Sequence, residues 1–313
     1  MNIHPKVSQI NTLFGETKVA LYLVRGEINA IIDTGTSESP LDDIAPALKD
    51  LGLTLADIDL ILNTHGHLDH TGGNTAVKSA GNAQILIHAN DATLIQNHEL
   101  YFEECFGPMV TALLGSRQLE KEREHFLQVA GPNIAPDRQL KNNDVIELGD
   151  ECDLRVIHLP GHSSGSVGFY WEKEGILFTG DSVQGLGKDA GALPILDDLA
   201  AYGESLKRLE QIPLKLMVQA HDLRGVALPP SLMKQNGDIG QFIRDCQEFT
   251  ERLREVVRHI IPYTEGKPVM EIHDKVVEGL PENMGFKPSG KIPNPFFGAT
   301  TVYFALIQAS QEL

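Results

Sequence analysis

The run Thr64-His65-Gly66-His67-Leu68-Asp69-His70 places three imidazoles and a carboxylate within six residues, His65 to His70. An apolar stretch, residues 59–63, leads into it and Gly72-Gly73 follows, so the cluster sits where a strand gives way to a tight turn. Packing has no use for so many polar rings at such a point. Imidazole and carboxylate are natural donors for zinc and other divalent first-row metals. A fold that uses them must bring further donors to the same loop. His162 in Leu159-Pro160-Gly161-His162-Ser163, Asp181 in Leu177-Phe178-Thr179-Gly180-Asp181 and His221 in Val218-Gln219-Ala220-His221 each close an apolar run. His65 and His67 alternate along an extended segment and can point the same way. Asp69 and His70 follow after the chain turns and face a neighbouring space.

Around these residues the pattern mixes strands and helices. Residues 18–25 and 27–33 are apolar, β-branched runs about Gly26 and read as a hairpin. Residues 40–51 carry apolar side chains at helical spacing. Residues 84–88, 145–148, 153–159, 166–171, 175–178 and 214–218 read as strands, and 75–80 and 199–212 as helices. Residues 90–131 are rich in Glu, Arg and Gln and read as a helical insertion. After His221, Leu228-Pro229-Pro230 and Asn236-Gly237 break the chain, and helices are expected over 241–261, 268–280 and 300–313. The division expected is a catalytic domain over 1–227 and a C-terminal helical extension over 228–313.

Charge excludes some partners. Lys and Arg number 26 against 43 Asp and Glu, a formal net charge of −17. Such a surface repels phosphate backbones, so nucleic acid is not expected as a partner, nor is a small DNA-binding module in the tail. No run of 18 apolar residues occurs, so no membrane span is expected. The start, Met1-Asn2-Ile3-His4-Pro5-Lys6, lacks a secretory pattern, and Cys105, Cys152 and Cys246 are widely spaced. Both features read as a cytoplasmic protein with reduced thiols.

The motifs together resemble the metallo-β-lactamase-fold hydrolase superfamily. Ile28 to Gly35, with Asp33 at a strand end, is similar to its first motif; His65-x-His67-x-Asp69-His70 to the second. The segments around His162, Asp181 and His221 are similar to the third, fourth and fifth. The resemblance implies a four-layer αβ/βα sandwich, with the helical insertion and the C-terminal helical appendage added to it. It implies two divalent metal ions, zinc first, with iron or manganese acceptable to the same donors. His65, His67 and His162 would hold one ion and Asp69, His70 and His221 the other, with Asp181 bridging. Asp33 would orient a ligand histidine or only shape the Thr34-Gly35 turn. A water shared by the ions would serve as hydroxide nucleophile, with Asp69 orienting it and helping to accept its proton.

Within the superfamily, Asp181 stands where antibiotic-hydrolysing members carry Cys or Ser, and no basic arm of the nuclease kind is present. The glyoxalase II-like branch of thioesterases, lactonases and esterases remains. Residues 194–209 are similar to a segment of an acyl thioesterase of this fold. The reading is therefore a hydrolase of a small-molecule acyl thioester, ester or lactone. The rivals are an iron-dependent redox enzyme in the same cage, and a signalling protein with weak thioesterase activity. Tyr101, Phe102 and Phe106 of the insertion and Phe296, Phe297 and Tyr303 of the tail are candidates to line the substrate pocket. The tail helices fit a homodimer contact and intramolecular docking equally well.

Overall fold

The computed structural model of the chain describes residues 3–187, 191–291 and 295–311. Among these, two six-stranded sheets stack face to face. The first runs, in spatial order, β1 (Val7–Phe14), β2 (Thr17–Arg25), β3 (Asn29–Ile32), β4 (Leu60–Leu62), β5 (Gln84–His88) and β6 (Arg138–Leu140). β1 to β3 pair antiparallel, and β3 to β6 pair parallel. The second holds β7 (Val145–Glu147), β8 (Asp153–His158), β9 (Val167–Trp171), β10 (Ile176–Phe178), β11 (Leu216–Leu223) and β12 (Ser231–Gln235), neighbours in that order. Only β10 and β11 are parallel in this sheet.

The helices are α1 (Ala45–Asp50), α2 (Leu68–Thr71), α3 (Asn74–Gly81), α4 (Ala92–Gln96), α5 (His98–Tyr101), α6 (Gly107–Leu114), α7 (Leu119–Ala130), α8 (Leu199–Leu209), α9 (Gly237–Ile260), α10 (Val269–Gly279) and α11 (Pro295–Gln311). No helix among the described residues is long and apolar enough to cross a membrane.

Strand β2 shows why the layers number four. Its residues Val19 to Val24 are all buried, so the run is continuously apolar where a half-solvated strand would alternate. Tyr22 and Val24 face the second sheet, in one cluster with Phe169 and Phe178. Leu21 and Leu23 face outward, against Leu48 of α1 and Val77 of α3. The second sheet repeats the scheme: Tyr170, Leu177 and Met217 pack outward on Leu206 of α8 and Phe242 of α9. Phe242, Phe249 and Leu253 of α9 are fully buried. Burying a large apolar side chain contributes roughly 1.5–3 kcal/mol, so this face, more than helix propensity, fixes α9. The α/β sandwich expected from the motifs is the architecture observed.

Two edges differ from the pattern reading. β1 has no counterpart among the expected strands, and β12 lies between the two expected chain breaks, where no strand is expected. β12 pairs antiparallel with β11, so residues 231–235 extend the second sheet. β11 itself runs through His221, with a register shift between Val218 and Leu223. Between β5 and β6 the chain is helical, as expected for residues 90–131. The tail reaches that insertion: Ala299 and Tyr303 of α11 pack with Met109, Val110 and Leu113 of α6.

Candidate metal centre

The ends of parallel neighbours β3 and β4 deliver the first pieces together. Asp33 follows β3 and Thr64 lies two residues beyond β4. Asp33 accepts the Thr64 N–H and the Thr64 hydroxyl, both at 2.8 Å. Its φ of 60° is left-handed, a conformation that aspartate, with a short side chain able to hydrogen-bond locally, tolerates better than most residues. That conformation aims the carboxylate back at the loop, where it meets His70 Nδ1 at 2.9 Å. Asp33 thus touches a predicted ligand as well as shaping a turn.

All seven predicted donors converge. The ligating atoms of His65, His67 and His162 lie within 4.8 Å of one another, and so do those of Asp69, His70 and His221; a third such group is His65, His70 and Asp181. Asp181 Oδ2 stands between the sets, 3.6 Å from His162 Nε2, 3.8 Å from His70 Nε2 and 3.3 Å from His221 Nε2. Asp69 Oδ2 is 3.6 Å from His70 Nε2 and 3.8 Å from His221 Nε2. The His67 ring centroid lies 4.6 Å from those of His65 and His162.

Most of these imidazoles have their tautomer set from behind. His162 Nδ1 meets the Ile195 carbonyl at 2.8 Å, and His221 Nδ1 meets the Lys18 carbonyl at 2.8 Å. A carbonyl only accepts, so Nδ1 carries the hydrogen and Nε2 presents its lone pair. The Thr64 hydroxyl donates to Asp33, so it accepts from His65 Nδ1 at 3.0 Å. Such outer partners are the usual means of fixing a metal-binding histidine.

Charge divides the cluster. Burial, and then the neighbouring imidazoles, push His65 and His67 well below the ordinary histidine range; burial also lowers His162. Burial acts the same way on His70, but the carboxylates of Asp69, Asp181 and Asp33 outweigh it and lift its pKa to about 10. His221 is lifted against its burial by Asp181 and Asp69. Burial opposes the Asp181 anion, yet His221, His70 and His162 hold its pKa well below the usual carboxylate range. Buried carboxylates that draw protons onto nearby imidazoles are placed to accept cations instead. His70 Nε2 and Asp181 Oδ1 are buried with no hydrogen-bond partner, and unpaired buried polar atoms are costly unless something else satisfies them. The donor set therefore fits divalent metal ions.

One residue escaped the pattern reading. Asp91, after β5, is 1% exposed and ties the two ligand loops together. Its oxygens accept the Gly66 N–H at 2.8 Å and the Gly165 N–H at 2.7 Å. Gly66 lies between His65 and His67; Gly165 lies three residues past His162. A Cβ at Gly165 would meet Asp91 Cγ at 2.4 Å, so the loop passes too close for any larger residue. A lone aspartate after a strand carries no signal that separates it from a turn residue.

The pocket candidates divide. Phe102 is 3% exposed and, with Phe126 and Leu68, forms a cluster behind the ligand loop; Phe106 packs on Phe126 at 5.0 Å between ring centroids. The Tyr101 ring packs edge-on against Phe126 at 5.2 Å. Burial, then Asp197, Cys105, Asp91 and Asp69, push its hydroxyl well above its ordinary pKa. Tyr303 is half-buried against α6. The side chains of Phe296 and Phe297 lie outside the described residues.

The sequence profile of the Metallo-beta-lactamase superfamily matches residues 15–221, a span that carries all seven residues. A hydroxyacylglutathione hydrolase of Chelativorans sp. (strain BNC1) is 26% identical over 277 residues, covering 85% of this chain and 85% of that one. Acyl-coenzyme A thioesterase MBLAC2 of Gallus gallus is 31% identical over 177 residues, covering 52% of this chain; the chain spans 57% of that relative's length. Among solved structures, a metallo-beta-lactamase family protein from Thermus thermophilus superposes with a TM-score of 0.69 at 20% identity, covering 99% of this chain and 95% of the other. At that identity the likeness shows the fold alone.

Proposed function

This chain belongs to the metallo-beta-lactamase superfamily, and we propose that this metal-dependent hydrolase cleaves an acyl thioester, ester or lactone of a small molecule. The observation that carries the reading is the position of Asp181, whose Oδ2 lies within 3.8 Å of three imidazoles drawn from both ligand groups. His65, His67 and His162 would hold one divalent ion and Asp69, His70 and His221 a second, with Asp181 shared and zinc the first expectation. Such a pair, when bound, would supply an acidified water at neutral pH and polarise a carbonyl oxygen.

The chain's own groups supply the rest. Asp69 is the more open of the two cluster carboxylates, its side chain 15% exposed against 8% for Asp181, and so can reach a water and take its proton. The relatives support a thioester substrate by their names, one for hydroxyacylglutathione and one for acyl-coenzyme A.

The test is metal content together with hydrolysis of acyl-CoA thioesters, S-lactoylglutathione, homoserine lactones and p-nitrophenyl esters. Two bound ions per chain and chelator-sensitive cleavage of one class are expected. Asp69→Asn should lose about 10²–10⁴-fold in turnover with circular dichroism unchanged. Wild-type turnover in fully metallated Asp69→Asn would remove Asp69 from the chemistry, and chelator-insensitive cleavage would remove the metals.

A further inference from the structure

The C-terminal helix α11 reaches the candidate metal centre without supplying a ligand. Its Thr301 is fully buried, and its hydroxyl joins two backbone groups of the segment ahead of α8. The Leu196 N–H donates to Thr301 Oγ1 at 2.8 Å, and the Thr301 hydroxyl donates to the Pro194 carbonyl. Ile195, the residue between them, turns its carbonyl to His162 Nδ1 at 2.8 Å. A second tie runs beside the first. Gln308 Nε2 donates to the Asp197 carbonyl at 3.0 Å. The Asp197 and Asp198 N–H groups both donate to the carbonyl of Gly161, next to His162, at 2.8 and 2.9 Å.

Only a hydroxyl can accept from one backbone group and donate to another at the same atom. Thr301 therefore fixes both flanks of Ile195. The carbonyl it holds in place keeps hydrogen on His162 Nδ1 and leaves Nε2 bare. That Nε2 lies 3.2 Å from His65 Nε2 and 3.6 Å from Asp181 Oδ2.

We infer that α11 is a brace for His162: Thr301 is a positioning residue that holds residues 194–196 so that the Ile195 carbonyl fixes the tautomer and aim of this ligand. The inference rests on reading the cluster as a metal centre. It gives the C-terminal helices a part in the site that is separate from covering it. Losing an outer partner of a metal-binding histidine weakens metal affinity by about 10–100-fold, and the brace acts on one of the two ligand groups only.

The experiment uses the full chain with Thr301→Val, which keeps the shape and removes the hydroxyl, and Thr301→Ser, which restores it. The first readout is the ring ¹⁵N shifts of His162 in metal-free, histidine-labelled protein, assigned by their loss in His162→Gln. Wild type and Thr301→Ser should show the single Nδ1–H tautomer, and Thr301→Val a mixture. The second is zinc titration against a chromophoric chelator. Thr301→Val should weaken one zinc by about 10–100-fold and leave the other unchanged. A wild-type tautomer and wild-type zinc affinities in Thr301→Val would overturn the brace. A wild-type chain that binds no zinc, with the tautomer still disturbed in Thr301→Val, would overturn the metal-centre reading and leave the brace standing. Should Thr301→Val fail to fold, Gln308→Met cuts the outer tie at a less buried position. A smaller shift of the same kind then supports the brace, and unchanged shifts and affinities overturn it.

Discussion

Replacing Asp91 by alanine should cost stability before it costs chemistry, and the contacts set the size. Each carboxylate oxygen takes one backbone N–H, Gly66 on Oδ2 and Gly165 on Oδ1. The Ser163 hydroxyl adds a third bond at 2.7 Å, but Ser166 Oγ lies 2.8 Å away from it as a second partner, so its loss costs little. The Ser164 hydroxyl, at 3.5 Å, is at the limit of a hydrogen bond and adds less. The two N–H groups have no such alternative. A buried donor left without a partner costs roughly 1–3 kcal/mol, so Asp91→Ala should lose about 2–6 kcal/mol. Asparagine offers one accepting oxygen and turns an amide N–H₂ toward the second donor, so Asp91→Asn should recover part of the loss and no more. Burial raises the Asp91 carboxyl pKa, and the bonds from Ser163, Gly66 and Gly165 offset that only in part. The assay is urea unfolding of metal-free protein, read as a shift of midpoint at constant slope. A loss under about 1 kcal/mol, the net worth of a single ordinary hydrogen bond, would show that the two loops do not depend on Asp91 and would refute the reasoning.

Asp33→Asn keeps a residue that tolerates left-handed φ but removes the charge beside His70 Nδ1. Zinc affinity should fall about 10–100-fold in a competition titration, and an unchanged affinity would leave Asp33 as a turn former alone. Lys234 tests burial elsewhere. Its ammonium donates to the Leu223 and Ser231 carbonyls at 3.0 and 2.7 Å, and burial lowers its pKa from 10.5 to about 8. The folded protein therefore releases this proton before the unfolded chain does, and stability should rise as pH goes from about 8 to 10.5. Lys234→Met should lack that rise in denaturation measured across the same window, and an identical pH profile would refute the assignment.

What the sequence disclosed follows from what side-chain patterns can carry. The strands buried on both faces were visible because a continuous apolar run as short as Val19 to Val24, bounded by turn residues, fits a strand covered on both sides. The edge strands were not. β1 reads Val-Ser-Gln-Ile-Asn-Thr-Leu-Phe with several partly exposed positions, and β12, behind two prolines, has one buried residue in five. Half-solvated edges carry little periodicity, and their pairing is decided by the neighbouring strand. The aromatic pocket candidates failed to separate for a related reason. Tyr101, Phe102 and Phe106 all pack around Phe126, and a spacing that serves a core cannot report which ring also faces substrate.

The seven candidate donors were legible for the opposite reason: metal chemistry demands particular side chains, and these cluster in four short motifs. The groups that orient them follow no such rule. Asp33 could be suspected because an acidic side chain leaves a mark. Ile195 and Lys18 act on His162 and His221 through carbonyls that every residue possesses, so no residue type at those positions betrays the role. Their information lies in where the backbone is held. For His162 that in turn depends on a threonine 139 positions further along, at 301. Candidate ligands can thus be picked out from motifs, while the groups that orient them are distributed over residues whose identities are ordinary. Variation at Thr301 should therefore alter metal affinity without touching any ligand motif.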